Sequence, residues 1–439
     1  MDKKVSLVAK RFFFFSILIA IVFSFLTPAA AQMFVNEPVR TIADGAAPWA
    51  KIECLADEAP NFVFEPFHDN GKQSHRVIKE AFGSDAPNSK FFLLHYAPNW
   101  DKAKQKVPVL LVHGAGSQAF HSWCHPYAME VPDGNNIDKP GLMKFLVDRG
   151  YSVFAITFSH PHGDNFLQAQ QLANAISRIK SVTKGGPDFK IDIVCHSKGA
   201  MPVRIYLSSL GEDIAKYAWL TPYRNDVRKC VFVASPLKGL DTQFRYYAYS
   251  LAVLMKDIAA PMAPEWIVYL GSCHKLNGYN DKFPGQSQML HNWVDDGIGF
   301  NDQSMTVDMD FTRNALYYGG TTALLSSDGI GAEIKKSGDV IGKLCDKGLA
   351  PGITCSILAG TKQDIDSVQI GMWKIPIGEF AASSDGVLFH RSATYVAGLT
   401  ARGAKVATVR SLNLHHVGLI FWPDALKFIE GELSGRNTH

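Results

Sequence analysis

Residues 190–210, KIDIVCHSKGAMPVRIYLSSL, pass from an apolar run through a serine into a helical pattern. A short continuous apolar run of this kind reads as a strand buried on both faces, and such strands belong to parallel sheets covered by helices. Pro202 falls in the first turn of the following helix, where a missing N–H does no harm. This strand–turn–helix unit limits the fold more than any other stretch of the chain. Ser197, at the turn, has two readings. One is an ordinary helix N-cap; the other is a nucleophile that the turn holds out of the sheet. Gly199 allows the helix to pack closely and favours the second reading. Cys195, two residues before the serine, stands where such turns usually carry their first glycine.

The rest of the chain repeats the same rhythm. Residues 90–96, 107–114 and 151–158 read as strands, and 140–150 and 165–182 as helices. Later, RKCVFVASP and ITCSILAG read as core strands, followed by a final strand in GAKVATVRSLNLHH and a C-terminal helix with Trp422, Leu426, Ile429 and Leu433 on one face. Alternating strands and helices of this order predict an α/β fold with a mostly parallel sheet. Residues 32–89 are mixed and are expected to wrap the sheet. A segment of more than 100 residues, 237–352, breaks the rhythm and is expected to be an insertion.

Residues 1–31 have the form of a signal peptide: Lys3, Lys4, Lys10 and Arg11, an apolar run of 15 residues, then small residues ending at Ala31. A membrane span needs about 20 apolar residues, and no other stretch approaches that. The expectation is an exported chain, secreted or periplasmic, that is not an integral membrane protein once the signal is removed. A net charge of +3 with no basic run leaves no footprint for nucleic acid. The seven cysteines, in an oxidising compartment, predict up to three disulfides, with Cys195 as the unpaired thiol.

Nucleophilic chemistry at a serine needs a base, a group to orient that base, and donors for the oxyanion. VLLVHGAGSQAF ends a strand in His-Gly-Ala-Gly. It assigns one backbone donor to Ala115, with the second at Lys198, while His113 is read as holding the loop. Of the 15 histidines, His415 and His416 follow the final strand; His416 is chosen as the base and His415 as its neighbour. The acid is Asp385 in ASSDGVLFH, with Asp364 in AGTKQDID as the alternative; a turn-capping role is the plain reading of either. HSWCH brings His121, Cys124 and His125 together, but no fourth zinc ligand lies near, so a disulfided loop with polar histidines is preferred. SHPHGD, 159–164, reads either as pocket lining or as a solvated loop. No cofactor and no metal is called for.

Taken together, H-G-x-G, H-S-x-G, S-x-D-G-V and H-V-G-L-I occur in the order Ser, Asp, His. With these motifs the chain resembles the secreted bacterial lipases and esterases of the α/β-hydrolase fold, from roughly Val107 to Leu433. The resemblance implies a carboxylic ester hydrolase working through an acyl-enzyme, with Ser197, Asp385 and His416 as its triad. Extracellular polyhydroxyalkanoate depolymerases of the lipase-like type also carry a glycine-poor turn, so a polyester substrate is the alternative. A catalytically silent binding protein of the same fold is the rival from another class. The 237–352 insertion is then expected to be a cap over the site, with Leu251, Leu254 and Trp266 in the substrate pocket. Sequence leaves oligomeric state open.

Overall fold

The computed structural model describes residues 34–67, 71–124, 141–245, 283–300, 317–321, 326–363, 367–370, 373–376 and 381–436. Its centre is a nine-stranded sheet: β1 (Phe34–Ile42), β2 (Lys51–Asp57), β3 (Phe91–Tyr96), β4 (Val109–Val112), β5 (Val153–Phe158), β6 (Ile191–His196), β7 (Val227–Val233), β8 (Thr354–Gly360) and β9 (Lys405–Leu412). Across the sheet the order is β1-β2-β3-β5-β4-β6-β7-β8-β9. Strands β5, β4, β6, β7, β8 and β9 are parallel neighbours, while β1, β2 and β3 pair antiparallel, β3 against β5. The expected parallel α/β sheet is therefore present. Residues 32–89 do not simply wrap it: β1 and β2 extend it by two strands.

Side chains alternate between two cores, as the period of two requires. On one face Leu110, Val112, Ile193, Cys195, Phe232 and Ile357 pack with helices α2 (Asn165–Val182) and α3 (Ala200–Ser208). On the other face Val109, Leu111, Val194, Val231 and Leu358 pack with α1 (Leu142–Val147) and α6 (Pro423–Ser434). In α6 the predicted face is present, with Leu426, Ile429 and Leu433 buried and Trp422 half-buried just before its first turn.

The described parts of the 237–352 segment behave in two ways. Phe244, Phe283, Leu290, Tyr317 and Ile330, the last opening α4 (Ile330–Ser337), form a small core of their own. Near them Arg245 bonds Asp241 at 2.8 Å and the carbonyls of Ile298 and Gly299, and Tyr317 donates to the same Asp241 carboxylate. By contrast α5 (Val340–Lys347) places Val340, Ile341 and Leu344 in the main core beside α3, so the end of the segment belongs to the body.

The expected disulfides are absent among the described residues: Cys54, Cys124, Cys195, Cys230, Cys345 and Cys355 are all thiols, and Cys273 lies outside those residues. Five of the six are buried, packed as small apolar side chains. Cys230 and Cys355 are register partners on β7 and β8. Neighbouring parallel strands project such side chains alongside each other, whereas a bridge needs them directed together. Burial pushes the Cys355 thiol up to about 12. Among the described residues, no helix is long and apolar enough to cross a membrane.

Candidate active site

Strand order reverses at β4, which lies between β5 and β6, and ligands in open α/β sheets bind beyond the strand ends at such a point. Ser197 and Lys198 follow β6 there, and Ala115 lies on the loop after β4. Ser197 follows β6 directly with φ +52°, a left-handed backbone that serine rarely adopts. The reason lies in the next turn. A Cβ on Gly199 would sit 2.5 Å from the His113 carbonyl oxygen and 2.6 Å from that of Val112, so the helix start is pressed against the end of β4. Strain of this kind persists only where packing over-determines it, and it collects at functional positions. Cys195, in place of the usual glycine, is fully buried in the core and gives its thiol to the Val231 carbonyl.

The loop after β4 lies against the serine: a methyl on Gly114 would be 3.0 Å from Ser197 Cβ. His113 holds this loop, as expected. Its Nδ1 donates to the Gly114 carbonyl at 2.8 Å and its Nε2 accepts from the Phe158 N–H. Burial lowers its pKa to about 4, so it stays neutral. Ala115 is partly exposed, and among the described residues no backbone carbonyl takes its N–H. Lys198 is second in the short helical turn 197–199, where N–H groups have no intrahelical partner.

Asp385 and His416 meet. His416 Nδ1 is 2.8 Å from Asp385 Oδ2, and the His416 N–H donates to the Asp385 carbonyl at 2.9 Å. The other carboxylate oxygen accepts the N–H groups of Val387 and Leu388, the turn-capping role weighed from sequence, so Asp385 does both. The turn carries Asp385 back to the end of β8, where a Cβ on Gly360 would be 2.8 Å from its Cβ. The alternative acid, Asp364, lies outside the described residues. His415 takes the neighbouring role, its Nδ1 accepting from the Gly418 N–H.

Sequence reasoning missed His196. Its Nε2 donates to the His416 carbonyl at 3.2 Å, and the two rings stand 4.9 Å apart. Burial first, then the nearby His416, pull its pKa to about 3. The residue before the elbow serine thus ties the late loop to the elbow. Its signal was the H of H-S-K-G, which local pattern alone does not connect to residue 416. Ser197 Oγ has no hydrogen-bond partner among the described residues, and such contacts are often loose without substrate.

Strand order with one reversal, a strained serine elbow after β6, and Asp then His on loops after β8 and β9 decide the architecture. The chain has the α/β-hydrolase fold. Solved structures to which this hydrolase fold is similar, at low identity, include the following three. A serine hydrolase from Cycloclasticus zankles is 13% identical, over 80% of this chain and 96% of that one, with a TM-score of 0.38. An esterase from Pyrococcus furiosus is 12% identical over 79% and 85%, with a TM-score of 0.37. The mature lipase BlEst2 from Bacillus licheniformis is 14% identical over 75% and 92%, with a TM-score of 0.34. No family profile and no curated protein matches the chain.

Two loop readings change on this hydrolase scaffold. SHPHGD is not solvated: Ser159, His160, His162 and Asp164 are all buried. In HSWCH, Cys124 is buried with its thiol on the Ala119 carbonyl, and His125 lies outside the described residues. Leu251, Leu254 and Trp266 also lie outside them.

Proposed function

We propose that this chain is a serine hydrolase of carboxylic esters. Ser197 attacks the ester carbonyl, His416 takes its proton and returns it to the leaving alcohol, and Asp385 holds the imidazole in the right tautomer. The N–H groups of Ala115 and Lys198 receive the developing oxyanion. Water then attacks the acyl-enzyme by the same route. The observation that carries this reading is the His416–Asp385 pair at 2.8 Å, with the His416 carbonyl bonded to His196, the residue before the elbow serine. Ester rather than amide substrates follow from the motif resemblance to lipases and esterases.

The cap reading belongs with this proposal, with Leu251, Leu254 and Trp266 lining the acyl pocket. So does export directed by residues 1–31. Cys195 in the glycine position favours a polyester as second substrate class. The test is labelling by a fluorophosphonate probe, read at Ser197 by peptide mapping, with a chain-length series of p-nitrophenyl esters. Ser197→Ala should stay folded, lose the label and lose about a thousandfold or more of ester turnover. Activity within tenfold of wild type in a folded Ser197→Ala sample would overturn the nucleophile assignment, and a folded wild type with neither label nor turnover would leave the silent binding protein. Leu251→Trp should shift the preferred chain length while the probe still reacts.

A further inference from the structure

Lys198 carries an expected oxyanion donor on its main chain, yet its side chain is only 2% exposed. Its Nζ donates to Gln168 Oε1 at 2.5 Å, and Gln168 in turn donates to the His160 carbonyl at 2.7 Å. The charges that face it are Glu65 and Asp164, with neutral His113 behind. Glu65 is also buried and accepts the Asp164 N–H at 2.7 Å. Asp164 caps α2 through the Phe166 and Leu167 N–H groups and accepts from the Tyr217 hydroxyl. Above the ammonium lies Gly285. A Cβ there would be 2.4 Å from Lys198 Cε, 2.8 Å from Nζ and 2.1 Å from the Gly163 carbonyl oxygen. Residues 283–288 are held in place by Gly285 N–H to the His162 carbonyl at 3.0 Å, and by Asn165 to Gly285 O and Gln288 Oε1 at 2.9 and 2.8 Å.

Stability alone does not ask for a lysine in this place. Removing charges from water is costly, and a whole buried charge cluster replaced by apolar side chains of similar volume is often neutral or better. Burial works against both charges, pulling Lys198 below the usual lysine range and pushing Glu65 above the usual carboxylate range. What an ammonium adds is direction. It can hold three separately arriving pieces of chain, the Glu65 loop, the start of α2 and residues 283–288, against one backbone position. That position is the residue after the nucleophile.

We propose that Lys198 is a positioning residue for ester hydrolysis: its buried ammonium, held by Gln168 and faced by Glu65 and Asp164 under Gly285, fixes the Ser197–Lys198 peptide and so aims the oxyanion donor. The proposal rests on the serine hydrolase reading above. An aiming role acts on the transition state, so its loss lowers kcat and spares KM.

The experiment measures kcat, KM and thermal midpoint on p-nitrophenyl butyrate for wild type, Lys198→Met, Gly285→Ala and Ser197→Ala. Lys198→Met should lower kcat about tenfold to a hundredfold with KM within about twofold, and the thermal midpoint should fall, because Glu65 and Asp164 lose the cation that faces them. Gly285→Ala presses on the ammonium from the other side and should lower kcat in the same way by a smaller factor. Lys198→Met with wild-type kcat overturns the proposal, as does a kcat loss that comes only with a raised KM. If Lys198→Met is not recovered folded, Gly285→Ala decides, and an unchanged kcat there overturns it. Activity within tenfold of wild type in Ser197→Ala would instead remove Ser197 as the nucleophile, so the two failures are distinct.

Discussion

Ser197 and the loop of Ala115 stand at the ends of β6 and β4, strands in which every residue is buried. Asp385 and His416 come from loops after β8 and β9, and β9 is an edge strand with no residue fully buried. The first arm of the site is held by the sheet itself. The second is held by a few directed bonds: the Asp385 turn, the His416 N–H on the Asp385 carbonyl, and His196 on the His416 carbonyl. A site of this kind joins a serine held rigidly by the sheet to an imidazole whose placement depends on long-range hydrogen bonds. Packing errors should therefore cost the first arm stability, and polar errors should cost the second arm turnover.

The largest effect should come from the second arm. Asp385→Asn keeps the turn but removes the charge that orients the imidazole, and turnover of p-nitrophenyl butyrate should fall about ten-thousandfold. Asp364→Asn should change it by less than about threefold. Reversed effects would move the acid to the residues straight after β8. Within the same arm His416→Ala should be inactive and His415→Ala partly active; the opposite order moves the base by one residue.

Acid should strike the first arm. His113 and His196 are kept neutral by burial, at about 4 and about 3, and burial holds His95 on β3 well below its ordinary range. Their folded values lie below the unfolded one, so the stability they contribute is present above about pH 6.5 and lost as pH falls toward the folded values. Between about pH 6.5 and 4 the unfolding free energy should drop by about 1.4 kcal/mol per pH unit for each histidine. Urea midpoints measured across that range check it; a flat profile would mean that these imidazoles are hydrated.

Cys195 offers the smallest effect. It sits in the core under the elbow, touching the Val231 carbonyl rather than the reacting groups. Cys195→Ala should lower stability by about 1 kcal/mol and leave kcat/KM within about twofold. A large kinetic loss would show that the thiol shapes the elbow.

The chain's own pattern was enough for the elbow, the loop at His113 and the helices on either side, because each is a local device. Strand ends, turn residues and apolar period lie within a few positions of one another, and α2 begins and ends at residues 165 and 182 as its pattern predicts. The same holds for the order Ser197, Asp385, His416. Tertiary structure alone decided which groups touch across long separations. His196 reaches residue 416, 220 positions away. Asp385 returns to Gly360, the cysteines stay thiols in the sheet core, and SHPHGD is buried under segments that arrive from residues 65 and 285. The physical reason is the same in each case. Periodicity records which face of an element is apolar, but a buried polar group is satisfied by partners that the fold brings from elsewhere, and no local spacing names them.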